Sequence, residues 1–155
     1  MMMENGYVRQ EAGSGAVTAR DFFGRTWQQK KVLDRLERNV QFRRDRAVSL
    51  GRSLEGVPVC HTRSQSPMED AVIRVEEAER ELDGAIDVLE EMKKECVRVI
   101  DRLPNPTEQT VLEQRYLEFQ SWEEIANLMR YDRHSVQRVH RRAMEKIDQA
   151  GGIAA

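Results

Sequence analysis

Aromatic residues are scarce in this chain, 6% of 155 positions, while charged residues reach 34%. So little bulky apolar volume argues against one thick globular core and for helices that bury narrow apolar seams. Cysteine is nearly absent. Cys60 and Cys96 stand far apart, with neither a C-x-x-C spacing nor paired histidines beside them, so no zinc site or disulfide framework is expected. Cys96 falls on an apolar seam, where a buried thiol is the plain reading, and the Cys60-His61 pair in a loop is a weak metal candidate. No apolar run approaches the roughly 18 residues of a membrane span, and Met1 to Gly15 lacks a signal-peptide core, so a cytoplasmic protein without membrane contact is expected. Also missing are a glycine-rich phosphate loop, H-E-x-x-H and G-x-S-x-G. No cofactor and no catalysis are expected.

Net charge is only -2, but the charge is unevenly placed. Residues 69 to 101 hold twelve acidic side chains against five basic ones. From Arg130 to Lys146 the balance reverses, with six basic (Arg130, Arg133, Arg138, Arg141, Arg142, Lys146) against Asp132 and Glu145, and with His134 and His140 between them. A near-neutral average therefore conceals a cationic C-terminal face.

Residues 1–17, with Gly6, Gly13 and Gly15 and no periodicity, predict a disordered tail. Residues 18–103 predict a helical hairpin. Its first helix runs from Thr18 or Asp21 to about Leu50, with Leu33, Leu36, Val40, Ala47 and Leu50 on one stripe. The stretch 51–67, with two glycines and two prolines, breaks the pattern and serves as a connector. A long helix then runs from about Met68 to Asp101. Val75, Leu82, Leu89, Cys96 and Leu103 recur every seven residues, and Ala78, Ala85, Met92 and Val99 fill the second seam position. A seam that narrow needs a partner. The first helix offers one, giving an antiparallel, coiled-coil-like hairpin, and a homodimer through the same seam is the competing arrangement. Gly84 lies inside the long helix at a cost of about 1 kcal/mol relative to alanine, and nothing in the sequence accounts for it.

Residues 104–148 carry a different pattern, and 149–155 are expected to be a second disordered tail. Leu103-Pro104-Asn105-Pro106 stops the long helix, because each proline disfavours helix at the residue before it. Thr107 is the expected N-cap of a helix through about Glu118, with Val111, Leu112, Tyr116 and Leu117 turned inward. Ser121-Trp122-Glu123-Glu124 reads as a capping box ahead of a helix buried through Ile125, Ala126, Leu128 and Met129. Asp132 caps a last helix with Val136, Val139, Ala143 and Ile147 on one face and Arg133, His134, Gln137, Arg138 and Arg141 on the other. A basic helix face is more often merely solvated, but this one sits at the second position of a helix-turn-helix, where the recognition helix enters the major groove.

From Leu103 to Ile147, LPNPTEQTVLEQRYLEFQSWEEIANLMRYDRHSVQRVHRRAMEKI resembles the fourth region of bacterial sigma factors, which binds the upstream promoter element. More widely, RLER at 35–38, SLEGVPV at 53–59, MEDAV at 68–72, VIDRL at 99–103 and RYLEFQSWEEIA at 115–126 are similar to small bacteriophage proteins of Gram-positive hosts, among them late-gene and autolysin-regulator types. The resemblance implies base contacts at Arg133, His134 and Arg138. It implies phosphate contacts at Ser135 and Gln137, and the cationic side chains of Arg130, Arg141 and Arg142 are expected to hold phosphates beside them. His134 stands where such helices often have an acid, implying a different sequence preference. Arg130 replaces the glycine often found in the turn.

Together these readings predict an all-α protein, a long helical hairpin followed by a compact sigma-region-4-like helix-turn-helix. The predicted function is that of a phage or prophage transcriptional regulator bound to double-stranded DNA, with RNA polymerase and a second copy as further partners. Two alternatives share the fold: a DNA-packaging accessory resembling a small terminase subunit, and a protein-binding module that docks on RNA polymerase without touching DNA.

Overall fold

The computed structural model describes residues 16–53, 55–56 and 66–153. Its first helix starts where a hydroxyl can satisfy an orphan amide: Thr18 Oγ1 accepts from the N–H of Asp21 at 3.2 Å, and α1 runs from Ala19 to Ser53. The free N–H of Ala19 is met from the far end of the chain, by Asp148 at 2.8 Å. Ser66 caps α2 (Pro67–Ile100) by accepting from Glu69, with Pro67 in the first turn where its missing N–H costs nothing. The proposed connector is therefore shorter than its sequence pattern: Gly51, Arg52 and Ser53 extend α1 and Pro67 opens α2. The Cys60-His61 pair, most of the connector and most of the N-terminal tail lie outside the described residues.

α1 and α2 pack as an antiparallel hairpin. Arg25 pairs with Glu95 at 3.0 Å, Gln29 donates to the carbonyl of Ala85 at 3.0 Å, and Arg44 pairs with Glu79 at 2.6 Å, so partners descend along α2 as α1 ascends. Leu33, Leu36 and Val40 of α1 and Ala78, Ala85 and Leu89 of α2 are buried where the two helices pack together. The seam is thus occupied within the chain. No helix among the described residues is long and apolar enough to cross a membrane.

Three shorter helices follow: α3 (Pro106–Tyr116), α4 (Trp122–Met129) and α5 (Arg133–Gln149). The cap of α3 is Asn105, whose side chain accepts from Thr107 at 2.9 Å, and not Thr107 as expected. Proline at the first helical position puts the capping residue one place before it. Gln109 then ties α3 to the end of α2 by donating to the carbonyl of Leu103 at 2.8 Å.

The hairpin and the C-terminal helices share one core. Ala19, Phe22 and Phe23 of α1 join Cys96, Val99 and Ile100 of α2, Leu112 and Tyr116 of α3, and Ala143, Met144 and Ile147 of α5. Phe23 is fully buried, with its ring 5.1 Å from that of Tyr116. Cys96 lies in the same cluster, where burial pushes its thiol up to about 11, so it is inert at neutral pH. The expected tail from residue 149 is partly ordered: Gln149 ends α5 and Ile153 packs on the shared core.

Candidate nucleic-acid interface

A second, smaller cluster holds α4 against α5: Val111, Ile125, Ala126 and Val136, with Trp122, Met129 and Val139 packed on it. Leu128, expected inside, is 62% exposed. An eight-residue helix has room for one narrow buried face, and Ile125, Ala126 and Met129 already fill it.

Both halves of the capping box form. Ser121 Oγ accepts from Glu124 N at 3.2 Å, and the Glu124 carboxylate accepts from Ser121 N at 2.7 Å. At the other end of α4 the chain reverses through Arg130, at φ 57° and ψ 39°. Tyr131 N donates to the carbonyl of Ala126 and Arg130 N to that of Asn127, the paired bonds of a Schellman closure. That left-handed position costs a residue with a Cβ about 1 kcal/mol. Arg130→Gly is accordingly expected to raise stability by about 1 kcal/mol in a urea melt while removing one cation beside the turn.

Asp132 opens α5 by accepting from Ser135 N at 2.8 Å, and the Ser135 hydroxyl donates to its second oxygen at 2.9 Å. These bonds hold the Asp132 carboxyl below its ordinary range. With successive residues turning by about 100°, His134, Arg138 and Arg141 form one exposed row opposite the buried Val136, Ala143 and Ile147. Arg142 and Ser135 lie along one side of the row, Arg133 and Gln137 along the other. Glu145 ends it. The cationic tract therefore occupies the N-terminal two-thirds of α5, the end that a recognition helix presents to base edges.

The proposed contact residues are not equivalent. His134, Arg138, Arg141 and Arg142 are exposed and make no ion pair among the described residues. Arg133 pairs with Glu123 of α4 at 3.2 Å, but both side chains are more than half exposed and such a pair is worth under about 1 kcal/mol, so it exchanges readily for a nucleobase or phosphate. Ser135 has its hydroxyl proton on Asp132 and reaches a phosphate only by giving up that bond. Gln137 lies half-buried in a groove shared with Arg20, Trp122, His140 and Arg141. Lys146, counted with the cationic face in the sequence, turns away: its ammonium donates at 2.7 Å to Glu108, a carboxylate only 3% exposed whose second oxygen has no partner among the described residues.

Three features of the site were not legible from local pattern. Arg20, at the start of α1, lines the same groove as Gln137 and Arg141. Arg115 is layered between Trp27 of α1 and Trp122 of α4, 4.5 and 4.4 Å from their rings, and Trp27 donates to the Arg115 carbonyl at 3.0 Å. The hairpin thereby fixes α4, the helix that precedes α5. His140 is a packing residue. Its Nε2 shares a 2.7 Å hydrogen bond with the Tyr116 hydroxyl and its ring meets Trp122 edge-on. The spacing of Ala19, Phe22, Phe23 and Trp27 carried a helical signal for the first two features. Nothing in the sequence separates His140 from its exposed neighbour His134.

Burial, reinforced by Arg115, Arg20 and Arg141, pushes His140 down to about 4 from 6.5. The folded state therefore binds fewer protons than the unfolded state between these values, so the stability contribution is full above about pH 6.5 and lost as pH falls toward 4. Urea melts are expected to lose about 2 kcal/mol between about pH 7 and about pH 5 from this group. His140→Gln is expected to flatten that dependence.

Comparisons of the chain with family models, curated proteins and solved structures find no match.

Proposed function

We propose that the protein binds double-stranded DNA through α5 and regulates transcription. One observation carries this reading: α5 is locked by its apolar face into a helix-turn-helix while its opposite face presents a continuous cationic row uncovered by the rest of the described chain. In the mechanism, Arg133, His134 and Arg138 meet base edges in the major groove. Either arginine can fork onto O6 and N7 of a guanine, a contact worth about 1–3 kcal/mol of discrimination. Arg130, Arg141 and Arg142 neutralise phosphates on either side, with Ser135 and Gln137 as shorter contacts. The Trp27–Arg115–Trp122 stack and the shared core hold α4 and α5 at a fixed angle to the hairpin, so a partner such as RNA polymerase on the hairpin would be placed in a defined relation to the DNA. The likeness of residues 103–147 to the fourth region of sigma factors, and of the longer chain to small bacteriophage proteins of Gram-positive hosts, supports a setting in phage or prophage transcription.

The test is amide chemical-shift mapping during titration with a mixed-sequence duplex of about two helical turns, which spans one recognition helix and its flanks. The expected result is change concentrated at residues 130–142. Change confined to the hairpin, or none, would contradict the reading and favour a module that holds another protein.

A further inference from the structure

The two helices of the hairpin carry opposite net charge. α1 has ten basic side chains against four acidic, and α2 has eleven acidic against five basic. Among the described residues only two ion pairs cross the hairpin, Arg25–Glu95 and Arg44–Glu79. Most of the remaining charge points outward. Two positions beyond each seam residue, alternating spacings of four and three bring Arg35, Arg38 and Phe42 to the outer edge of α1. The same register brings Gly84, Asp87 and Glu91 to the outer edge of α2, flanked by Arg80 and Lys94, with Glu91 in an exposed pair with Lys94 at 2.9 Å.

Each edge also exposes apolar surface that the fold does not use. Phe42 is 56% exposed amid the α1 arginines, and Val88 is 46% exposed beside the α2 carboxylates. Arginine and aromatic side chains are enriched where proteins meet. Gly84 is the independent sign. It costs a helix about 1 kcal/mol relative to alanine, yet a Cβ there would meet nothing within 4 Å, so packing inside the hairpin does not require it. A missing side chain on an outward face leaves room for a group that comes from elsewhere.

We propose that the chain self-associates edge to edge, the outer edge of α1 in one copy lying against the outer edge of α2 in the next, with Phe42 over Gly84 and Arg35 and Arg38 facing Glu91 and Asp87. When two copies point the same way, α1 of one is antiparallel to α2 of the other, as within the hairpin. Arg35 and Arg38 are then spaced one turn apart, like Glu91 and Asp87 opposite them. The edges lie on opposite sides of the hairpin, so the contact is heterologous. Each added copy leaves a fresh edge, and the assembly closes into a ring or continues as a row. α5 takes no part, so the inference stands apart from the DNA-binding reading.

The test is sedimentation equilibrium of the full chain across a concentration series at about 50 mM and about 500 mM salt, which span weak and strong screening. At low salt the mass is expected to climb above the monomer's 18.0 kDa, and at high salt to fall back. Arg35→Glu/Arg38→Glu and Asp87→Arg/Glu91→Arg place like charges opposite each other, and each pair of substitutions is expected to weaken association at least about tenfold. Mixing the two variants restores assembly, because each edge then meets its opposite. All four positions are exposed, so both variants are expected to remain helical, which circular dichroism checks. A wild type that stays monomeric overturns the proposal, as do variants that assemble undiminished or a mixture that does not recover. Loss of duplex affinity by the α1 variant of a monomeric wild type would instead assign the α1 edge to a phosphate backbone.

Discussion

Replacing Phe23 with alanine is expected to destabilise the whole chain by about 3–5 kcal/mol, a large fraction of the roughly 5–15 kcal/mol that holds a domain of this size. The side chain is fully buried, faces Phe22 edge-on at 5.2 Å and Tyr116 at 5.1 Å, and sits in a cluster drawn from α1, α2, α3 and α5. Removing it opens a cavity between the hairpin and the helix-turn-helix, not inside either. The two tryptophans report on the outcome, Trp27 in α1 and Trp122 in α4. In urea both are expected to change in one transition whose midpoint falls sharply in the variant. A fragment beginning at residue 104 is expected to remain unfolded, since Leu112, Tyr116, Ala143, Met144 and Ile147 would lose their partners on α1 and α2. A separate Trp122 transition that Phe23→Ala leaves in place would show that the C-terminal helices fold alone.

The second large effect falls on binding. Arg133→Ala and Arg138→Ala are each expected to weaken binding to the preferred site by about tenfold to a hundredfold, at about 1–3 kcal/mol per lost base contact. The double variant is expected to bind all duplexes alike. Both side chains are exposed, so stability should move by less than about 0.5 kcal/mol and the loss reports on recognition alone. Arg141→Ala/Arg142→Ala is expected to act differently, weakening every duplex to a similar degree and lowering the slope of log affinity against log salt by about 2. Competition titrations with cognate and scrambled duplexes separate the two behaviours.

Much of this architecture is legible in the sequence because the signals are local and periodic. The seven-residue seam of Val75, Leu82, Leu89 and Cys96 can only be buried by another helix, and the connector leaves α1 within reach. The caps at Ser121 and Asp132 sit where their side chains meet the amides three residues ahead. The left-handed turn at Arg130 follows from the three-residue link between α4 and α5. What escapes local reading depends on distant partners. Phe22, Phe23 and Trp27 look like the start of the hairpin stripe, yet their partners include Tyr116, Arg115 and Met144. The sequence therefore suggests two units where the structure has one shared core. His140 and Lys146 look like members of the cationic face until Tyr116 and Glu108, far away in sequence, are seen to hold them.

The proposed function requires α5 to read bases and not merely to attract phosphate. The most direct test is selection of bound fragments from phage and host genomic DNA by the purified protein, at two salt concentrations and in parallel with Arg133→Ala/Arg138→Ala. A recurring site upstream of phage genes, retained at the higher salt and lost in the variant, is the predicted result. Binding that is equal across sequences, abolished by modest salt and unchanged in pattern by the two substitutions would contradict it, leaving electrostatic attraction without readout.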